Sequence, residues 1–225
     1  MGFIKKMWDV IGGEFTNLVL EFFRTSRLPR ALNTTLITLI PKVEEAKEVH
    51  QFRPISLVGC IYKVISKLMA QKLKQVVSDL ISDSQAAFIE GRSILDGALI
   101  ANEIVQWTKK RRGARGVMIK LDFQKAYDSI RWDFVDSILS IMGFGKVFRG
   151  WIQESITTAK ISILINGVPS EPFEMGKGLR QGDLISPFLF VMAVEAFTQL
   201  IRRGVEKGLL QGIMVGRDEC MATHL

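Results

Sequence analysis

The chain is poor in the residues that build compact reactive centres. It has two cysteines and two histidines in 225 residues. Cys60 and Cys220 are too few for a disulfide scaffold, have no metal-ligand spacing, and read as reduced intracellular thiols. His50 and His224 have no catalytic partners in view, so neither a Ser-His-Asp nor a Cys-His nucleophile is indicated. Long apolar runs are also missing. The strongest, Phe188 to Val194, is far short of the roughly 20 residues that span a bilayer. At the N-terminus, Lys5 and Lys6 are followed by Asp9 and Gly12-Gly13, which interrupt any signal-peptide core. There is no internal repeat and no low-complexity linker.

What is present is apolar and basic. Hydrophobic residues make up 48% of the chain and the mean hydropathy is +0.20. That implies a substantial core and hints at apolar surface that expects a partner or a further segment. The net charge is +7, with an isoelectric point near 9.5. Such a balance favours a polyanion such as nucleic acid. A basic protein without such a partner has the same composition.

Periodicity predicts mixed α and β structure. Phe3, Met7, Ile11, Phe15, Leu18 and Phe22 recur at helical spacing, with Gly12-Gly13 as the expected break. TTLITLIPK is β-branched and reads as a strand ending at Pro41, and 42–51 reads as a charged loop. Helices are predicted over 57–81, 93–107, 131–142, 146–158 and from Pro187 to about 201, the last capped by Ser186. KKRRGAR, 109–115, carries five basic groups in seven residues and reads as a turn before an apolar strand at 117–123. ISILING is a strand running into an Asn166-Gly167 hairpin turn, with VPSEPFEM as its return.

Several residues stand out chemically. Asp122 ends the apolar segment MIKL; a carboxylate at the end of a buried strand suits a hard divalent cation, or else caps a turn. Tyr127 either walls a small pocket beside it or is a core aromatic, and Asp128 is a weaker acid candidate. GKGLRQGD sets Lys177 and Arg180 among glycines that let a polyphosphate or base pair approach the backbone, but it is not a Walker loop. Arg53 and Arg92 lie beside turns, where arginine grips phosphate or forms an ordinary surface ion pair.

Taken together, LITLIPK…QFRPISLVGCIYKVISKLMAQKL, SDSQAAFIEGRSILDGAL, KLDFQKAYDSIRWDF and NGVPSEPFEMGKGLRQGDLISPFLF resemble four ordered motifs of the reverse transcriptase domain of LINE-type (non-LTR) retrotransposons, most like those of plants. The resemblance covers roughly residues 15–200. It implies an α+β right-hand polymerase fragment, with a helical linker at 1–24, fingers at 25–116 and a partial palm at 117–225. It implies template-directed nucleotidyl transfer on an RNA template and DNA primer, with dNTP and two Mg²⁺ ions. By resemblance Asp122 is the first metal-binding aspartate, assisted by the Phe123 carbonyl. Tyr127 is the steric gate at the sugar 2′ position. Arg53, and less securely Lys42, contact the triphosphate. Gln181 and Gly182 pack on the templating base pair, and Arg92 contacts the template.

The sequence departs from the family pattern in two respects. The aromatic-Ala-Asp-Asp motif that holds the other two catalytic aspartates is not among the 225 residues, and neither is a thumb. Leu184-Ile185 replaces the usual Pro-Leu. Asp133, Asp136, Asp183, Asp218 and Glu219 are the acids available as substitutes, and none forms an adjacent pair in a hairpin. The expectation is therefore a truncated reverse transcriptase domain, inactive alone, associating with itself or with a complementary fragment. It would be intracellular, nuclear or cytoplasmic, without membrane attachment. Two other readings stay open: a co-opted module that binds RNA or an RNA–DNA hybrid, and a decayed gene product.

Overall fold

The computed structural model describes residues 2–110, 116–123, 125–215 and 220–223. Arg111, Arg112 and Arg115 of the basic run, Asp218 and Glu219 of the tail, and His224 lie outside the described residues.

The chain forms two compact units. The first comprises 1–72 and 125–190. It opens with helices α1 (Gly2–Lys6) and α2 (Trp8–Thr25). The expected break at Gly12-Gly13 does not occur; the interruption falls at Met7, and α2 runs straight through the glycines. Trp8 explains this. Its indole lies so close over Gly12 that an added Cβ would sit 2.9 Å from the ring. The far end of α2 is no free linker. Val19 and Phe22 are buried, and the Phe23 ring meets Trp151 edge-on at 4.9 Å.

Strand β1 (Thr34–Pro41) pairs antiparallel with β2 (Phe52–Val58) and parallel with β3 (Lys160–Ile165). Two short strands, β4 (Val168–Pro169) and β5 (Phe173–Glu174), return along β3 after the Asn166-Gly167 turn. Sequence periodicity misses β2, because Pro54 interrupts it. The register shows why proline is tolerated there. The Ser56 N–H, on the same side as Pro54, points off the sheet edge to Gln181 rather than to β1, so Pro54 removes no ladder bond.

Helix α3 (Cys60–Leu80) begins in the first unit and buries Tyr62, Ile65 and Met69 there. After it in this unit come α5 (Ala126–Ser129), α6 (Trp132–Ile141) and α7 (Lys146–Thr157). The helices α6 and α7 are joined by a part-exposed ion pair, in which Arg149 Nε reaches Asp136 at 2.8 Å. The hydrogen bond from Arg149 holds the Asp136 carboxyl below its ordinary range.

The second unit comprises 73–124 and 191–225. It contains the end of α3, α4 (Ile94–Lys110), most of α8 (Ser186–Glu206) and a hairpin of β6 (Ile213–Val215) and β7 (Cys220–Ala222). These units interleave the segments 25–116 and 117–225 rather than separating them. The largest departure from expectation is at 117–123. No strand forms there, and Val117 and Ile119 are 83% and 74% exposed. The segment has β propensity, but a strand needs a neighbour for its N–H and C=O groups, and no described strand pairs with it. Among the described residues no helix is long and apolar enough to cross a membrane.

Candidate nucleotide-facing site

The glycine-rich loop 176–183 organises the first unit. At one end it is clasped to the turn that follows Asp122. The Gly178 N–H donates to Ile130 O at 2.7 Å, Leu179 N–H to Tyr127 O at 2.8 Å, and the Trp132 indole N–H to Gly178 O at 2.8 Å. Gly178 has φ +94°, and a Cβ there would sit 3.0 Å from Asp128 O, so only glycine fits. At the other end the loop lies along β2. Ser56 N–H donates to Gln181 O at 2.7 Å, and Gly182, at φ +99°, approaches Ser56 O and Ile55 Cγ2.

This clasp brings four of the sequence-identified residues into one region. Arg53 shares a strand face with Ile55, against which Gly182 lies. Arg53 is exposed, and its side chain has no hydrogen-bond or ion-pair partner among the described residues. Gln181 is half-buried and Gly182 exposed, between the buried Arg180 and Asp183. Tyr127 is half-buried, stacked on Phe190 with centroids 4.9 Å apart and planes at 13°. Burial pushes its hydroxyl pKa up.

The other candidates are placed differently. Lys42 Nζ turns back to donate to His50 O at 3.0 Å. Asp122 and Phe123 belong to the second unit, where Asp122 is exposed rather than on a buried strand, and Phe123 packs edge-on against Phe197 at 6.0 Å. Arg92 is committed to protein oxygens. Its guanidinium donates to Ser82 O at 2.6 Å, Gln85 O at 2.8 Å and Ile81 O at 3.3 Å, and pairs with Asp83 at 3.2 Å. It thus caps the carbonyl end of α3. Glu195 holds the opposite side of the same turn, accepting from Ser82 N–H at 3.1 Å and Ser82 Oγ at 2.8 Å. Replacing Arg92 with Ala strands those carbonyls. It is expected to lower unfolding stability by about 1–3 kcal/mol in urea titration.

Lys177 is exposed, but Arg180 is not. Arg180 is 5% exposed and ion-paired at 3.0 Å with Asp183, itself 3% exposed. Sequence reading had no signal for this pairing. Both residues sit in a loop of glycines, and their partners Asn33, Tyr62 and Ser66 are distant in sequence.

The implied magnesium site is not assembled by these residues. No group of three or more His, Cys, Asp or Glu is placed to hold a metal among the described residues. Asp183 is tied to Arg180, Asp136 to Arg149, and Asp133 to Arg131.

Comparison of the sequence with known proteins places the chain in a family. The sequence model described as reverse transcriptase (RNA-dependent DNA polymerase) matches residues 40–216. A 149 kDa protein of transposon TX1 from Xenopus laevis is 28% identical over 89% of this chain and 15% of its own length. The Pol polyprotein of the type-2 retrotransposable element R2DM from Drosophila melanogaster is 26% identical over 75% of this chain and 16% of its own. A probable RNA-directed DNA polymerase from transposon BS of the same fly is 23% identical over 74% and 18%. The chain thus spans only a small part of these relatives. With the family match covering most of its length, the chain belongs to the reverse transcriptase (RNA-dependent DNA polymerase) family.

Proposed function

We propose that this chain is the fingers and incomplete palm of a right-hand RNA-directed DNA polymerase. It binds an RNA template paired to a DNA primer and presents a surface to the incoming nucleotide, but it does not by itself carry out synthesis. The observation that supports this most is the double clasp of loop 176–183. It gathers the free Arg53 side chain, half-buried Tyr127 and Gln181, and exposed Gly182 in one unit. In this reading Arg53 meets phosphate, Tyr127 walls the sugar, and Gln181 with Gly182 lies against the base pair. Arg92 acts on the template by shaping the turn 81–92, since its own donors are taken. The exposed run Val117–Phe123 is where a complementary segment or a second copy would associate.

A related reading, a nucleic-acid-binding module without synthesis, is favoured by the exposed Lys63 and Lys67 on α3, the helix that follows the Arg53 strand in the chain. Both readings require phosphate contacts. Affinity for an RNA–DNA hybrid should fall linearly with log salt. Arg53→Ala is expected to reduce that slope by about 1 without changing its sign. Fluorescence anisotropy at several salt concentrations measures it. A slope that Arg53→Ala leaves untouched removes Arg53 from the interface.

A further inference from the structure

We propose that Arg180 and Asp183 are positioning residues, a buried ionic clamp that holds the more accessible pair between them, Gln181 and Gly182, in one fixed presentation over β2. The inference rests on the reading of Gln181 and Gly182 as duplex-facing.

Two more accessible residues lie between two buried ones. Arg180 and Asp183 point inward, while Gln181 and Gly182 remain accessible. Each inward residue is anchored to a different part of the first unit. The Arg180 guanidinium donates to Asn33 Oδ1 at 2.7 Å and Thr35 Oγ1 at 3.1 Å, at the start of β1. It also donates to Ser155 O at 3.0 Å near the end of α7, and lies 4.1 Å over the Tyr62 ring. Asp183 accepts from Tyr62 Oη at 2.6 Å and from Ser66 Oγ, both on α3. It also takes the Ile185 N–H at 3.4 Å. Burial, and then the adjacent Asp183 carboxylate, push the Tyr62 hydroxyl well above its ordinary range, so it stays a donor. The loop is therefore referenced at once to a strand, two helices and, through Gln181 O, the edge of β2.

An apolar pair of similar volume would fill this space without taking two charges out of water. Such replacements are often neutral or stabilising, so a buried pair is poor evidence of a stability role. What the ionic pair adds is direction. A guanidinium fork with fixed acceptors permits one orientation, whereas packed methyl groups permit several. Residues holding a presented surface need that property, because small displacements of a contact group lose much of its effect.

The test compares the 225-residue chain with the double variant Arg180→Met/Asp183→Leu. Three quantities are read: the urea midpoint, amide hydrogen exchange at Ser56, and affinity for an RNA–DNA hybrid. The expected result is a folded double variant whose midpoint falls less than that of Asp183→Ala, because no buried charge is left unpaired although the Tyr62 and Ser66 hydroxyls lose their acceptor, with Ser56 exchanging about tenfold faster or more while the amides pairing β1 with β2 keep their protection. A stable double variant with unchanged Ser56 exchange overturns the clamp and leaves the pair as core filling. Should the double variant not fold, Tyr62→Phe and Ser66→Ala each remove one bond to Asp183 and keep the ion pair. Selective acceleration of Ser56 exchange in either supports the clamp, and its absence in both overturns it. Hybrid affinity separates this from the functional reading. If Ser56 protection is lost and affinity falls with it, both stand. If protection is lost and affinity is unchanged, the clamp stands, and the assignment of Gln181 and Gly182 as duplex contacts fails.

Discussion

Given an RNA template, an annealed DNA primer, dNTPs and Mg²⁺ or Mn²⁺, the purified 225-residue chain is expected to give no measurable primer extension. The expected rate lies at least about 10³-fold below that of a polypeptide carrying the family's full set of catalytic aspartates, the scale on which disabled catalytic units lose activity. The argument is one of ligands. Two-metal phosphoryl transfer holds cations roughly 3.5–4 Å apart, and their repulsion has to be offset by several carboxylates. The resemblance assigns this chain one, Asp122, which is exposed and outside any strand. Three described acids that could replace the others are engaged. Asp183 and Asp136 are paired with buried or half-buried arginines. Asp133 lies within 2.5 Å of Arg131, whose hydrogen bond holds its carboxyl below the usual range. Gel-resolved primer extension decides the matter, and robust, template-dependent synthesis by this chain alone would refute the proposal.

Asp183→Ala is expected to be the most damaging single change to folding. It leaves the Arg180 guanidinium buried without its counter-ion, and Tyr62 and Ser66 without their acceptor. Breaking one side of a buried pair costs about 3–5 kcal/mol. Domains of this size have only about 5–15 kcal/mol in all, so much of the population would unfold. Asp136→Asn is the internal control. Its pair with Arg149 is only part-buried, and such a change costs about 1 kcal/mol or less. Urea titrations of both variants, followed by circular dichroism, give the comparison. Equal and small losses in the two would mean that the loop does not depend on the ionic pair.

Much of the fold could be read before the structure. The helices α3, α4, α6, α7 and α8 fall close to their expected spans, because each carries a long 3.6-residue apolar repeat. The hairpin after β3 was visible in Asn166-Gly167, since that dipeptide adopts positive φ on both residues, at 51° and 82°. The failures have physical causes as well. β2 was hidden by Pro54, whose harmlessness depends on which way its nitrogen faces. The break at Gly12-Gly13 did not appear, because Trp8 covers the glycine. The segment at 117–123 has the residues of a strand but no described neighbour to pair with, and propensity does not supply a partner.

The candidate site divides in the same way. Sequence alone determined the family, through four motifs in order, and named Arg53, Tyr127, Gln181 and Gly182, whose nearness follows from the loop's close approaches at Gly178 and Gly182. It also showed that the 225 residues contain no adjacent pair of aspartates. Only the tertiary structure decided which charged groups are available. Arg92, drawn from sequence as a template contact, caps a helix. Arg180, read with Lys177 as a cation beside an approaching polyphosphate, is buried against Asp183. The fate of a charge depends on the acceptors that distant segments bring within about 3 Å of it. For Arg180 those acceptors come from Asn33, Thr35 and Ser155, which no local pattern places beside the loop.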